Sequence, residues 1–206
     1  MQRTIKLSKI MTKNYQKVEK FGRVNIKNDK NEYVLRNWCD EITELPNGLL
    51  LARDGDETTL LDGSGRELLD SPVTTIYQFF GDFALVNYGT RYGIIDRRGN
   101  YVFELQEPAG VGSWCFIGSR RNCVAVNIET GEIGDTLLSE VEEVEHGDTI
   151  EELSWIVTRT DGKKNIFDAD GGFFRTTVWF EKIHVIDGTY AAGWDGEEWT
   201  TFPYVD

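Results

Sequence analysis

The sequence has few cysteines and histidines and lacks a long apolar run. Its 206 residues include three cysteines, Cys39, Cys115 and Cys123, and two histidines, His146 and His184. An odd number of thiols with no secretory signal predicts reduced cysteines in a cytoplasmic protein, where they serve as small core residues. No run of about 18 apolar residues exists, so no membrane association is predicted. Neither histidine lies near a cysteine at metal-ligand spacing, so no metal or cofactor site is predicted.

The sequence also lacks the common catalytic motifs. It contains no nucleophile elbow, no phosphate-binding loop and no zinc-protease helix motif. Ser64 lies between two glycines, but a tight turn explains that sequence without a nucleophile. Acidic residues are plentiful, yet their spacing does not show whether any two face each other across a cleft. We therefore predict no catalytic residue and interpret the chain as a non-enzyme, with a hydrolase as the third hypothesis.

Positive charge is scarce outside the first 20 residues. The net charge is −13, but residues 1–20 hold six Lys or Arg and one acid, so the other 186 residues carry −18. A body this acidic repels phosphate backbones, and we expect no direct nucleic-acid binding. Residues 1–20 are interpreted as a basic N-terminal leader, either a frayed segment or a short packed helix, with Met1 or Met11 as the natural start.

One short pattern recurs along the rest of the chain. Apolar residues lead into Asp or Asn, then two variable residues, Gly or Asn, and a second apolar pair. Its turn residues are Asn31, Gly65, Gly99, Gly131 and Gly171, at steps of 34, 34, 32 and 40 residues. Asp or Asn opens such a turn by accepting hydrogen bonds from the following backbone, and Gly or Asn tolerates positive φ. The pattern therefore predicts tandem hairpins.

The segments between these turns are short and rich in β-branched and aromatic residues, which leaves no room for a helix. We predict an all-β fold of tandem antiparallel hairpin repeats of about 34 residues. About five units form a single domain over residues 21–206. A propeller-like ring and an open superhelical array are both compatible with this repeat.

In the third unit, Phe79–Val86 is an apolar segment, and Tyr92–Gly99 reads aromatic-Gly-x-Ile-Asp-x-x-Gly. Together these segments resemble the repeat of the bacterial WG-repeat family. A displaced aromatic-Gly pair occurs at Phe21-Gly22. The resemblance implies an array of β-hairpin units in a bacterial or phage-related protein, and it transfers no catalytic residue.

Two features are candidates for partner binding. Residues 140–152 hold seven acids and no Lys or Arg, and Glu142, Glu143 and Glu145 form their centre. They form either a docking surface for a basic partner or a solvated strand and loop with Val141, Val144 and Ile150 facing inward. The second feature is the aromatic-rich C-terminus, where Trp194 and Trp199 stack on a sugar ring, anchor a protein, or close the last unit together with Phe202 and Tyr204.

These observations favour a non-catalytic module that presents hairpin loops to a protein partner of unspecified identity, and the acidic body is compatible with a basic one. The alternative is an acidic inhibitor that mimics nucleic-acid charge and occupies a basic groove, as in phage anti-defence proteins. The two hypotheses differ in salt dependence, because a charge mimic loses affinity steeply as ionic strength rises. The sequence does not specify the partner or the oligomeric state.

Overall fold

The computed structural model describes residues 15–110, 112–119, 121–144 and 154–204. Within these ranges the chain forms antiparallel β-strands joined by turns, and none of them contains a helix that could cross a membrane. The prediction of an all-β fold of antiparallel hairpins is confirmed. The chain divides into two compact units, the first ending at Thr74 and the second beginning at Thr75. The predicted single domain, residues 21–206, spans both.

The first unit contains two small sheets. One is the hairpin of β1 (Tyr15–Lys20) and β2 (Arg23–Asn28), and the other joins β3 (Glu41–Glu44), β4 (Leu50–Asp54) and β5 (Glu57–Leu61). Strand β1 includes the last six residues of the predicted leader. The core between the two sheets is formed by Val24, Ile26, Leu35, Cys39, Ile42, Leu50, Ala52 and Leu61.

The second unit contains three sheets of consecutive strands. The first has four strands, β6 (Thr75–Ile76), β7 (Phe83–Tyr88), β8 (Arg91–Asp96) and β9 (Tyr101–Gln106). The second has six, β10 (Trp114–Ser119), β11 (Asn122–Asn127), β12 (Leu138–Glu143), β13 (Ser154–Arg159), β14 (Lys164–Asp168) and β15 (Phe173–Phe174). The third joins β16 (Lys182–Val185), β17 (Tyr190–Trp194) and β18 (Trp199–Pro203).

Successive hairpins of the second unit pack face to face. Because side chains alternate along a strand, each hairpin offers one apolar set to each neighbour. On β10 and β11, Phe116 and Ala125 pack against Trp155 of β13. On the opposite face, Ile117 and Val124 belong to a cluster with Leu85 and Ile94. A single hairpin cannot bury both of its faces, so the repeats stabilise one another by stacking.

The turns that follow each second strand have the predicted chemistry. Asp62 Oδ1 accepts hydrogen bonds from the backbone N–H of Ser64 at 2.8 Å and of Arg66 at 3.0 Å. Asp96 accepts the equivalent pair from Arg98 and Asn100. The turn residues Asn31, Gly65, Gly99 and Gly131 all have positive φ, between 64° and 88°.

The prediction of Gly171 as the fifth turn residue was wrong. Gly172 takes the positive φ, 70°, and its N–H donates to the carbonyl of Asp168 four residues earlier. Gly131 donates in the same way to Asn127, whereas Gly99 donates to Asp96 only three residues earlier. The last two turns therefore contain one more residue than the first three.

In several units, a buried residue three positions before the Asp or Asn that opens the turn contacts the segment that returns after the turn. In the third unit this residue is Gly93. A Cβ there would lie 2.8 Å from the carbonyl oxygen of Phe103, so the absence of a side chain lets the returning strand β9 lie close to Gly93. In the first, Asn25 donates its amide to Leu35 O at 3.1 Å and accepts from Leu35 N at 3.2 Å. In the fifth, Asn165 donates to Thr176 O at 2.9 Å. In these two units the side-chain amide of asparagine forms the hydrogen bonds with the returning segment that the backbone of a neighbouring strand would otherwise form.

Candidate interaction surface

Trp194 and Trp199 lie side by side on the last hairpin of the chain. They are direct cross-strand partners on β17 and β18, with ring centroids 5.8 Å apart and planes tilted by 46°. Trp199 is 53% exposed and Trp194 is half-buried. The structure therefore brings together the two tryptophans that the sequence singled out.

The other two aromatic residues of the C-terminus are buried. Phe202 stacks on Phe180 with a centroid distance of 5.3 Å, and the hydroxyl of Tyr204 donates to the carbonyl of Asp187 at 2.7 Å. Both belong to the cluster that packs under the last sheet. The sequence left open whether this aromatic group is exposed or closes the last unit. In the structure, Trp194 and Trp199 lie on the exposed side of the last hairpin, whereas Phe202 and Tyr204 close the last unit.

The tryptophan pair belongs to a larger exposed face. Alternation along β17 and β18 directs Ala191 and Phe202 into the core and leaves the opposite side outward. We call this outward side the tryptophan face, and it consists of Tyr190, Ala192, Trp194, Trp199, Thr201 and Pro203. Lys182 and His184 of β16 extend it, because they pair in register with Trp194 and Ala192. Sequence reasoning missed Tyr190, Lys182 and His184, although the two-residue alternation of these strands could have indicated them.

Three carboxylates lie at one end of the tryptophan face, in the turn between its strands. Asp195, Glu197 and Glu198, which we call the acidic turn, are all exposed. Oδ1 of Asp195 accepts hydrogen bonds from the backbone N–H of Glu197 at 2.8 Å and Glu198 at 3.0 Å. These backbone hydrogen bonds lower the pKa of Asp195, so its carboxylate stays ionised well below neutral pH. The acidic turn therefore places fixed negative charge beside the tryptophans.

Of the predicted acidic residues, Glu142 lies exposed on β12, where it pairs with Ile156 of β13. Glu143 ends the same strand, but its side chain is outside the described part of the structure, and Glu145 falls outside the described residues altogether. Val144 is buried in the last core cluster, as one of the two interpretations of this segment predicted. The hydrogen bonds and ion pairs of the described residues do not join Glu142 to either tryptophan.

Glu142 does line a cavity of about 410 Å³, which we call the β12 cavity. Strand β12 pairs with β11 only at Leu138 and Cys123, and its register against β13 shifts between Leu138 and Glu140. The cavity has Phe116 and Cys123 among its apolar lining residues, with Glu140 and Glu142 as its acids. Glu140 also lies 3.9 Å from the ammonium of Lys164, so the acidic strand is partly neutralised.

The three cysteines are not placed as reactive thiols, and the described residues form no metal site. Cys39, Cys115 and Cys123 are all buried, and burial raises the pKa of Cys123 to about 11, which disfavours the reactive thiolate. His184 lies exposed on β16, and His146 is outside the described residues. No group of three or more His, Cys, Asp or Glu side chains in the described part is arranged to hold a metal ion.

No protein-family model matches the chain, and no curated protein matches it either. Among solved structures, it is similar to BamB from Moraxella catarrhalis at 13% identity and a TM-score of 0.30, covering 89% of this chain and 65% of that one. For Kluyveromyces lactis Hsv2p the identity is 13% and the TM-score 0.31, and the match covers 94% of this chain and 72% of that one. For the C-terminal WD40 domain of Sif2 the identity is 10% and the TM-score 0.31, and the match covers 89% of this chain and 64% of that domain's chain. Similarity at this level carries no argument about function.

Proposed function

We propose that this chain is a non-catalytic protein-interaction module built from WG-like β-repeats, and that it binds a basic segment of a partner protein. The observation that carries the proposal is the position of Trp194 and Trp199, paired on an exposed sheet face beside the acidic turn. The other hairpins of the second unit pack many of their aromatic and aliphatic residues on each other.

The chemistry of this surface suits a segment with Arg or Lys beside apolar residues. Tryptophan is enriched among the residues that contribute most to protein interfaces. A guanidinium or ammonium over a Trp ring gains about 0.5–2 kcal/mol. The carboxylates of the acidic turn add long-range attraction for the same partner, and the net charge of −13 increases its association rate.

The alternative, an acidic inhibitor that mimics nucleic-acid charge, rests on the charge of the whole body and not on any one face. A charge mimic would lose most of its affinity between about 0.05 and 0.5 M salt, because the Debye length falls severalfold over that range. A module anchored by tryptophan would keep most of its affinity. A nucleic acid would also compete with the mimic and not with the module.

The test is affinity capture from a lysate of the native host, followed by titration of the captured protein against variants. Trp199→Ala should weaken binding by at least about tenfold, as expected for a central aromatic anchor. Glu197→Lys with Glu198→Lys should slow association while leaving the Asp195 turn intact. Tyr88→Ser is the matched control, because its ring is equally exposed, at 53%, on a different hairpin.

Circular dichroism of each variant serves as the control for folding. If the Trp199 variant binds as tightly as the Tyr88 control, the tryptophan face is not the interaction surface. If the Trp199 and Tyr88 variants bind equally and affinity falls steeply with salt, the charge-mimic alternative holds.

A further inference from the structure

A second cavity of the second unit is lined in part by four aromatic rings. Its volume is about 410 Å³, and we call it the aromatic pocket. It lies between the start of β10, the segment 132–138 and the turn that follows β14. The residues that define its chemistry are Trp114, Phe167, Phe173, Phe174, Glu132 and Asp135.

The walls of the aromatic pocket are held in place by ring contacts. Phe167 packs edge-on against Trp114 at 6.0 Å and against Phe174 at 5.4 Å between centroids. Gly172 abuts the indole so closely that a Cβ would lie 2.1 Å from Trp114 Nε1. The turn can reach this position only with glycine, so Trp114 and the turn are fixed relative to each other. Phe173 is 45% exposed and offers the ring surface most accessible to a ligand.

The charge of the aromatic pocket is negative. Glu132 and Asp135 are exposed carboxylates in its lining, and among the described lining residues none is basic. The nearby guanidinium of Arg175 packs over Phe173, but it is buried and paired with Asp168 at 2.5 Å, so that pair contributes little net charge. An anion or a neutral polar ligand would find few donors here.

We propose that the aromatic pocket binds an organic cation of the alkylammonium class, such as a quaternary ammonium or a methylated amine. The faces of aromatic rings attract a cation through their quadrupole, and rings that enclose a cation are the usual recognition device for quaternary ammonium groups. A quaternary ammonium has no N–H to satisfy, which suits a lining made largely of aromatic and aliphatic side chains. Glu132 and Asp135 supply the compensating charge. The ligand is either a free small molecule or a methylated lysine side chain of another protein.

The test compares choline with 3,3-dimethylbutan-1-ol, its neutral carbon isostere, by isothermal titration of the full chain. Choline should bind, and the isostere should bind at least about fivefold more weakly, because it has the same shape without the charge. Glu132→Gln with Asp135→Asn should weaken choline binding by a similar factor. The control is Glu104→Gln with Glu107→Gln, which removes the same charge from exposed positions outside the aromatic pocket.

Phe173→Leu should also weaken choline binding, and circular dichroism verifies its fold. A trimethyllysine peptide, titrated beside choline, distinguishes the two sources, since the tighter ligand indicates whether the natural cation is a side chain or a free molecule. Equal binding of choline and its isostere, or no binding of choline and the peptide, would overturn the proposal. The tryptophan-face variants leave these residues unchanged, so this result is independent of the proposed function.

Discussion

Two buried threonines differ in whether the side-chain hydroxyl has a hydrogen-bond partner. Thr58 is 8% exposed and its Oγ1 donates to Thr74 O at 3.2 Å, whereas Thr158 is 7% exposed and its Oγ1 has no partner within the described residues. Leaving a buried hydroxyl unpaired costs about 1–3 kcal/mol. We expect Thr158→Val, which keeps the side-chain shape, to stabilise the protein by about 1 kcal/mol. Thr58→Val should destabilise it by a similar amount.

Denaturant titration monitored by circular dichroism measures both changes in the free energy of unfolding. The two valine variants control for each other, because both are β-branched and both replace a buried strand threonine. Destabilisation of both by the same amount would mean that the hydroxyl of Thr158 is satisfied in solution.

At the scale of elements, the turn that Asp62 opens couples stability to pH. Burial alone would raise the pKa of Asp62, but hydrogen bonds from Ser64 and Arg66 outweigh it, and the pKa is lowered on balance. A carboxyl group whose pKa is lower in the folded state stabilises fully above its unfolded pKa, near 3.9. That contribution is lost as pH falls through the folded pKa. We therefore expect Asp62→Asn to reduce the loss of stability between about pH 5 and pH 3.

Asparagine keeps the acceptor oxygen of the turn, as Asn28 and Asn127 already do in the same position of other units. Asp62→Asn should thus be tolerated at neutral pH, while Asp62→Ala, which removes the acceptor, should cost about 1 kcal/mol. The measurement is the free energy of unfolding of all three proteins at each pH. The same pH dependence in wild type and Asp62→Asn would contradict the assignment to Asp62.

The turns could be predicted from sequence because their chemistry is local. Asp96 and Gly99 contact each other within one turn, so the spacing of residue types determines the structure. The extra residue at Gly172 was misplaced because two adjacent glycines satisfy the same pattern. The buried amide of Asn165 could not be predicted, since its acceptors, Thr176 and Val178, are 11 and 13 residues away. A polar residue in an apolar strand does not indicate which backbone it will meet.

The candidate site shows the same division at a larger scale. Trp194 and Trp199 are separated by one four-residue turn, so their pairing follows from the hairpin pattern. The aromatic pocket joins Trp114 to Phe173, and its acidic residues come from a third segment. Such a site depends on how successive hairpins stack. The repeat predicts that they stack but not which side chains line the gaps.

At the scale of the whole molecule, the reactivity of the three cysteines can show when each of the two compact units unfolds. Cys39 lies in the core of the first unit, and Cys115 and Cys123 lie in the second. Burial raises the pKa of all three thiols, and the thiolate is the reactive form, so each reacts only when its surroundings open.

Because each unit has its own apolar core, we expect each to open as a cooperative segment. Thiol labelling in increasing denaturant, read by peptide mass spectrometry, should therefore give Cys115 and Cys123 one shared midpoint and Cys39 another. A Cys115→Ala variant controls for interference between the two thiols of the second unit, and it should leave the Cys123 midpoint nearly unchanged. A single midpoint for all three thiols would show that the two units unfold together, because an opening confined to one core cannot expose a thiol in the other.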